Sequence, residues 1–457
     1  MICEDTKIIL IFVKIRLSDM TLTTRFTAYV SAALLALAAL SSCSEKNDDF
    51  VINEKETSSN PGQTKKRYQE RNKNVLLLYS AGYNSLSSYL QADIKELTES
   101  WLPGDNPYDN VLLVFSRHTK GNQSNFKDPV MPVLERICIG RDEQVLRDTI
   151  DVPGLTLTTM ASDPKTLNTV LTYVRNNFEA DSYGMIFSSH ATGWLPPGYY
   201  NRYSSPRALL PLAPGQERLM TKTIGQEYVS SQSYEMAVSE FASAFPTGMK
   251  FDYILFDACL MGCVEVAYEL RDVCCRVAFS QAEVLAEGFD YSSITTRLLK
   301  GLSPDIEGVC IDFFNLYDGK SGNEHSATIS LVDTGALDDL ADVCADLFDK
   351  YRSAIQNLDY KTVQGYYGGK AHWFFDLEDI LVKAGISQSE KSALDKALAQ
   401  CVVYKGCTGQ YYSALDYSVH QVTTFSGLSM FLPSGGDSTL RDYYKSYLWN
   451  DATGLIQ

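Results

Sequence analysis

The chain has 457 residues, of which 45% are hydrophobic and 21% are charged, and its formal net charge is −16 at pH 7. That composition is typical of a globular protein with one large domain or two smaller ones. The excess of acidic residues argues against a nucleic-acid partner, because phosphate binding needs a basic surface. The 11 cysteines show neither zinc-ligand spacing nor a dense disulfide framework, so we predict no metal site from them.

The N-terminus predicts an exported lipoprotein. An apolar run at residues 27–40 is too short to span a bilayer but suits the core of a signal peptide. Ser41, Ser42 and Cys43 follow it and resemble a bacterial lipobox, so we predict lipidation of Cys43. The alternative is an ordinary signal peptide with an incidental cysteine. We therefore assign residues 1–43 to a lipoprotein signal peptide and expect a lipid anchor in the bacterial outer membrane, with exposure at the cell surface.

The segment that follows Cys43 predicts a flexible tether. Residues 44–73 are polar and contain no apolar periodicity that would form a core. Their first part, SEKNDD at 44–49, resembles the surface-export tag of Bacteroidetes-type lipoproteins. The initiator stays open between Met1 and Met20, since a second apolar patch precedes Met20.

Apolar segments after the tether predict a parallel β-sheet. Continuous apolar runs are typical of strands that are buried on both faces. A helical pattern at residues 163–178 leads directly into one of them, which predicts α/β alternation, with Ser162 or Asp163 as its N-cap and Pro164 in its first turn. The five predicted strands are residues 75–80, 111–116, 183–189, 251–257 and 277–280.

The remaining sequence continues the alternation. We predict a core at residues 74–300 and, at 301–457, a C-terminal domain or an extension of the same sheet. The elements predicted in this second part are strands at 327–332 and 427–432, a helix at 337–351 and a helix that starts within 375–384.

Two of the predicted strands end in residues that could act together. His190 follows one strand directly, and Cys259 follows another after Ala258. Functional groups collect at the carboxyl ends of the strands of an open parallel sheet, so neighbouring strands would bring imidazole and thiol together. Each residue alone is more often structural, but the pair at equivalent strand ends predicts a Cys–His enzyme.

The chemistry of such a dyad assigns a role to each residue. A free thiol is mostly protonated at neutral pH, so His190 would act as general base and Cys259 as nucleophile to form an acyl-enzyme. The residues after Cys259 have a helical period, and a helix beginning there would favour the thiolate. The backbone N–H groups of Ala191 and Cys259 are the predicted oxyanion donors.

The same segments resemble a known family. FDACLMGCVEVAYEL at residues 256–270 resembles the catalytic-cysteine motif of the clostripain family of cysteine peptidases, and YGMIFSSHATGW at 183–194 resembles its catalytic-histidine strand. Weaker pieces in the family's order, such as VLLLYSAGYNSL at 75–86, extend the resemblance over residues 74–457. The resemblance implies a caspase-like sandwich of a mostly parallel sheet with flanking helices, shared with gingipains and legumains. It also implies endopeptidase activity on proteins or peptides. No cofactor is required by the sequence, while a supporting calcium ion stays open.

The resemblance also implies a specificity. The family's acid two residues before the nucleophile lies in the specificity pocket, so Asp257 is the predicted substrate-binding residue and cleavage is expected after Arg or Lys. The alternative is that Asp257 pairs only with local backbone or with an arginine. Two positions depart from the family. Ala191 stands where the family usually has glycine, and would be strained in a conformation that only glycine adopts easily. Gly82 and Tyr83 precede Asn84 where an acidic residue is usual.

Residues 195–223 contain five prolines and two glycines and predict an irregular surface loop. The loop starts shortly after His190 and concentrates positive charge in an acidic chain. Exposed loops are preferred sites of proteolysis, and the resembling family matures by cleavage in this region, so we predict a self-cleaved zymogen. The alternative is a plain surface loop. The candidate cleavage residues are Arg202, Arg207, Arg218 and Lys222.

Two functions from other classes compete with a peptidase. A catalytically inactive relative could serve as a surface lipoprotein that binds a protein, and the 28 tyrosines could instead favour a glycan-binding surface. The intact pair of His190 and Cys259 favours the enzyme over both.

Overall fold

The computed structural model describes residues 73–457 except 107–108, 121–125, 127, 200–223, 230–231 and 367–371. The predicted signal peptide with Cys43 and all but the last residue of the tether lie outside the described residues. So do the four candidate cleavage residues, Arg202, Arg207, Arg218 and Lys222.

A nine-stranded sheet forms the centre of the described chain. Its strands are β1 (Asn74–Gly82), β2 (Val111–His118), β3 (Val133–Ile139), β4 (Val145–Ile150), β5 (Ser182–Ser188), β8 (Phe251–Asp257), β9 (Cys274–Phe279), β10 (Thr328–Asp333) and β12 (Val402–Cys407). They lie in the order β12-β10-β9-β8-β5-β1-β2-β3-β4, in which the five middle strands are mutually parallel and the pairs at both edges are antiparallel. Short two-stranded pairings join β6 (Ile224–Val229) to β7 (Gln232–Met236), β11 (Phe375–Asp376) to β15 (Ser429–Met430), and β13 (Gln410–Ser413) to β14 (Ser418–Gln421).

Helices cover both faces of this sheet, because the strand side chains alternate between two separate apolar cores. Along β1, for example, Leu77 and Tyr79 enter one core while Leu76 and Leu78 enter the other. The helices are α1 (Ser87–Glu99), α2 (Pro164–Asn177), α3 (Val238–Ser243), α4 (Val264–Glu269), α5 (Tyr291–Thr295), α6 (Ile306–Asp318), α7 (Leu337–Gln356), α8 (Leu377–Lys383), α9 (Gln388–Cys401), α10 (Ser438–Tyr444) and α11 (Leu448–Thr453).

The predicted fold class, a mostly parallel sheet with flanking helices, is confirmed. The five predicted strands of the first half are β1, β2, β5, β8 and β9, with bounds that agree within a few residues. The predicted helix before β5 is α2, and the Asp163 carboxylate caps it by accepting from the Lys165 N–H at 2.9 Å. Strands β10 and β12, from the second half of the chain, lie in the same sheet as the first half.

The structure differs from the prediction mainly in the second half. The predicted strand at 427–432 pairs over two residues only, as β15. The helix predicted to start within 375–384 is confirmed as α8, which starts at Leu377 after the short strand β11. Strands β3, β4 and β12 were not predicted. Their side chains are largely half-buried or exposed, so they lack the continuous apolar run that marks the central strands.

Candidate active site

The two predicted catalytic residues follow neighbouring strands. β5 and β8 pair in parallel with Ser188 opposite Asp257, and the Ser189 N–H donates to the Asp257 carbonyl at 3.4 Å. His190 and Cys259 each come two residues after this pair, so they leave the sheet at the same level. Both line one narrow cavity of about 80 Å³. Its other lining residues are Leu86, Leu90, Ser189, Asp257, Ala258, Glu283, Val284, Leu285, Ala286, Tyr412 and Ala414.

The Cys259 thiol is half-buried against the backbone of the segment after β9. Its Sγ lies 3.7 Å from the Val284 carbonyl oxygen and 3.3 Å from the Val284 amide nitrogen. Burial raises the pKa of the Cys259 thiol to about 12, and the charge of Glu283 is the next cause. The thiol is therefore protonated at neutral pH in this arrangement.

The predicted helix at Cys259 is wrong in its start. α4 begins at Val264, five residues later, and is only six residues long. Residues 259–262 instead form a turn held across to the segment after β9, with the Leu260 N–H donating to the Ala282 carbonyl at 3.0 Å and the Gly262 N–H to the Ser280 carbonyl at 2.7 Å. No helix dipole therefore acts on the thiol from its own turn. The helical period of the motif belongs to α4, whose six residues are all buried, and does not mark a helix start at the cysteine.

His190 is 2% exposed and fixed on several sides. Its Nε2 lies 2.9 Å from Ser85 Oγ, and its carbonyl accepts from the Gly225 N–H at 3.2 Å. Ser85 and Asn84 come from the turn after β1. The Asn84 amide donates to the carbonyls of Ala81 at 3.0 Å and Gln226 at 2.8 Å, which ties this turn to the segment that carries Gly225. Asn84 belongs to the segment at 75–86 that resembles the family, whereas no feature of the sequence assigns a role to Ser85.

Ala191 does not have the strain that its departure from the family suggested. It is fully buried, and its φ lies outside the left-handed region that favours glycine. The left-handed residues here are Gly193, with φ +53°, and Leu260, with φ 60°. A Cβ on Gly193 would lie 2.3 Å from the Leu260 carbonyl oxygen, so the turn after His190 and the turn after Cys259 touch at this glycine. The oxyanion role of the Ala191 and Cys259 N–H groups stays a prediction.

Asp257 lies in the same cavity, beneath Cys259 along its strand. It is 7% exposed, and its Oδ2 accepts from the Tyr291 hydroxyl at 2.8 Å and from Ser188 Oγ at 3.2 Å. Burial raises the pKa of Asp257 to about 6, against these hydrogen bonds, which lower it. Gly288, with φ +60°, leaves the space beside the carboxylate: a Cβ there would lie 2.5 Å from Asp257 Oδ2.

Glu283 was missed by sequence analysis and is a second buried acid of the cavity. Its carboxylate accepts from Ser413 Oγ at 2.5 Å and from the Ala414 N–H at 2.9 Å. It thereby fixes the end of β13 over the cavity, where Tyr412 and Ala414 form part of the wall. Burial raises the pKa of Glu283 to about 7. No sequence motif singles it out, because its contacts cross from residue 283 to residues 413 and 414.

Among the described residues, no group of three or more His, Cys, Asp or Glu side chains is arranged to hold a metal ion. All nine cysteines of this part of the chain are free thiols.

Comparisons with known proteins agree with the family resemblance of the sequence. Residues 78–454 match a family model described as the Clostripain family. Clostripain of Hathewaya histolytica is 24% identical over 442 residues, which cover 84% of this chain and 79% of clostripain.

Two solved structures resemble the chain over most of its length. An inactive zymogen C11 protease from Parabacteroides distasonis is 26% identical with a TM-score of 0.66, covering 83% of this chain and 97% of the other. A secreted C11 cysteine protease from Bacteroides thetaiotaomicron, in complex with an irreversible peptide inhibitor, is 22% identical with a TM-score of 0.67, covering 84% and 99%. These likenesses confirm the predicted caspase-like fold.

Proposed function

The chain belongs to the clostripain family of cysteine peptidases, and on that premise we propose that it cleaves proteins or peptides after Arg or Lys, with Cys259 as nucleophile and His190 as general base. One observation carries the proposal. Both residues follow paired parallel strands at the same level and line one cavity, which also contains the buried carboxylate of Asp257.

The proposed reaction has two steps that share His190. His190 takes the proton of the Cys259 thiol, the sulfur forms a bond to the scissile carbonyl carbon, and His190 passes the proton to the leaving amine as the C–N bond breaks. Water then attacks the thioester, with its proton again taken by His190, and the carboxylic acid leaves as the thiol re-forms. Because burial holds the pKa of Cys259 near 12, the thiolate depends on a base close to the sulfur.

The shape of the cavity supports specificity for a basic side chain. Leu86, Leu90 and Leu285 provide apolar walls that suit a methylene stem, and Asp257 provides the charge for its cationic end. A neutral side chain would leave this buried carboxylate unpaired, which penalises its binding.

Turnover of a peptide library by the wild type, Cys259→Ala and His190→Ala tests this function. We expect cleavage after Arg or Lys by the wild type and no measurable hydrolysis by either variant, with circular dichroism unchanged. Cys275→Ala is the matched control, since Cys275 is exposed and does not line the cavity. Wild-type turnover by Cys259→Ala contradicts the mechanism, and cleavage after aspartyl or apolar residues contradicts the specificity. A wild type that hydrolyses nothing and resists a basic acyloxymethylketone probe would favour an inactive binding lipoprotein.

We also propose that the loop at residues 195–223 is cut by the enzyme itself after Arg202, Arg207, Arg218 or Lys222. The described flanks support this proposal. Ahead of the four candidate residues, Tyr199 packs on Trp373, with ring centroids 5.3 Å apart. After them, Gly225 donates to the His190 carbonyl, and Glu227 forms a buried ion pair of 2.8 Å with Arg117. The C-terminal flank is thus attached to His190 itself, and β5–β8 pairing would keep two fragments together.

Incubation of the wild type beside Cys259→Ala tests self-cleavage. We expect N-terminal sequencing to find a cut between residues 202 and 223 in the wild type only. A fully active wild type that remains uncut contradicts activation by cleavage and leaves the peptidase proposal intact. A cut that also occurs in Cys259→Ala identifies another protease as its cause.

We finally propose that the mature chain starts at a lipidated Cys43. In the described part of the chain, no helix combines the length and apolarity needed to cross a bilayer. A single acyl chain holds a protein to a membrane only weakly, so two or three chains on Cys43 would give stable anchoring. Mass spectrometry of the mature N-terminus decides: a diacylated or triacylated Cys43 is expected, and an unmodified N-terminus downstream of it contradicts the anchor.

A further inference from the structure

A third buried acid lies next to the cavity, on the helix that follows β1. Asp93 is on the inward face of α1, one turn after Leu90, which lines the cavity. Its side chain is 6% exposed, and its Oδ2 is buried without a hydrogen-bond partner. An unsatisfied carboxylate oxygen is costly to bury, so its place in the fold requires an explanation.

Asp93 and Asp257 share one buried environment. The Tyr291 hydroxyl donates to Asp257, and both carboxylates raise the pKa of this tyrosine. Burial raises the pKa of Asp93 to about 9, with the charge of Asp257 as the next cause. The other groups that act on Asp93 are also acidic, namely Glu96 on its own helix and Glu287 beside Gly288. All the charges that influence Asp93 are therefore negative.

A purely structural role explains this arrangement poorly. A buried acid that stabilises a fold normally accepts hydrogen bonds or pairs with a cation, as Glu227 does with Arg117 and Ser162. Asp93 has an empty acceptor and lies beside a second acid instead. Two neighbouring carboxylates without a cation are the arrangement expected where a cation arrives from outside.

We propose that Asp93 is a second specificity-determining carboxylate, behind Asp257, and that the pair selects Arg over Lys before the scissile bond. This inference rests on the proposed function, since it assumes that a basic side chain enters the cavity towards Asp257.

The two basic side chains differ in what they offer to such a pair. A guanidinium is planar and has five N–H donors on several edges, so one edge can meet Asp257 while another meets Oδ2 of Asp93. A lysine ammonium is compact and strongly hydrated, with three donors around one point. It can neutralise Asp257 and still leave Asp93 unsatisfied, so it gains nothing from the second acid.

Two peptides that differ only in Arg or Lys before the scissile bond test the inference on the wild type, Asp93→Asn, Asp257→Asn and Glu99→Gln. We expect Asp93→Asn to lower kcat/KM by about tenfold to a hundredfold for Arg but less than about threefold for Lys. Asp257→Asn should lose both substrates. Glu99→Gln removes a charge from the exposed side of the same helix and should leave both values within about twofold.

Thermal unfolding gives a readout that separates specificity from structure. The pKa of Asp93 is raised in the folded state, so the folded protein holds a proton on Asp93 at a pH where the unfolded chain has already released it. Asp93 therefore destabilises the fold increasingly as the pH rises above the ordinary pKa of an aspartate. Asp93→Asn should therefore raise Tm, and more so at pH 8 than at pH 5. A lower Tm with equal losses for Arg and Lys would show a structural residue and overturn the inference.

The outcomes distinguish this inference from the function on which it rests. A wild type that cleaves after neither Arg nor Lys defeats the proposed function, whereas cleavage with an Arg/Lys ratio unchanged in Asp93→Asn defeats only the inference. Should Asp93→Asn fail to fold, calorimetry of wild type at pH 7.5 in two buffers replaces it. Pentylguanidine should release a proton from the acid pair on binding, and pentylamine should not; equal release by both overturns the proposal.

Discussion

The charge of Glu283 offers a direct test of how the fold controls its thiol. Glu283 is the largest electrostatic cause, after burial, of the raised pKa of Cys259. Replacement by Gln keeps the size of the side chain and removes the charge. Since a negative neighbour disfavours the thiolate, the pKa of Cys259 should fall in Glu283→Gln.

The expected size follows from the described contacts. A like charge raises the pKa of a thiol, and we take an effect of about one pKa unit because Ser413 and Ala414 already donate to this carboxylate. One unit corresponds to about 1.4 kcal/mol and to a tenfold larger thiolate fraction. The pKa of Glu283 is itself about 7, so this acid is charged only above that pH. The effect should therefore be full at pH 8.5 and absent at pH 5.5.

Alkylation by iodoacetamide, followed at the Cys259 peptide by mass spectrometry, measures the thiolate without turnover. We expect Glu283→Gln to react about tenfold faster than wild type at pH 8.5 and equally fast at pH 5.5. Ser413→Ala is the matched control, since it loosens the end of β13 but keeps the charge of Glu283. Easier access alone would change the rate by the same factor at every pH. A Glu283→Gln profile that parallels Ser413→Ala, or equals wild type at pH 8.5, refutes the electrostatic explanation.

Three further predictions concern the cavity and its surroundings. The pKa of Asp257 is about 6, and this acid binds a cation only when it is ionised. Below pH 6, the affinity of the Cys259→Ala variant for benzamidine, measured by calorimetry, should therefore fall about tenfold per pH unit. The same measurement should find no such fall in Asp257→Asn. Gly288→Ala should reduce kcat/KM for basic substrates at least about tenfold, since its Cβ would collide with Asp257 Oδ2; unchanged kinetics contradict this. Arg117→Met should lower the free energy of unfolding by about 3–5 kcal/mol in urea titrations, because it leaves Glu227 buried and unpaired; a loss under about 1 kcal/mol contradicts the buried pair.

The central strands were predictable because a strand that is buried on both faces consists of a continuous run of apolar residues. β8 has the predicted bounds for this reason, and its buried residues span both cores. The edge strand β4 was not predictable in the same way, since its side chains are mostly exposed and only pairing with β3 defines it. Strand ends could be assigned for the same reason as the strands themselves, which is why His190 and Cys259 were found together.

The acids around the cavity illustrate what sequence cannot supply. Asp257 was predicted because it lies within the cysteine motif, whereas Glu283 and Asp93 belong to segments with no motif. Glu283 meets partners about 130 residues away, as the Ser413 and Ala414 contacts have separations of 130 and 131 residues. Asp93 reads in the sequence as one more charge on an acidic helix. Only its orientation towards the core, with Leu90 and Ile94, distinguishes it from the exposed Glu99.

In the described structure, the proposed nucleophile and the proposed general base each contact another segment of the fold. Cys259 Sγ meets the Val284 backbone, and His190 Nε2 meets Ser85 Oγ. Burial and the charge of Glu283 disfavour the thiolate in this arrangement, so the proposed mechanism depends on proton transfer to a base near the sulfur. The His190 carbonyl accepts a hydrogen bond from the Gly225 N–H, two residues after the end of the proposed loop. We expect a cut at Lys222, three residues before Gly225, to affect His190 through this hydrogen bond.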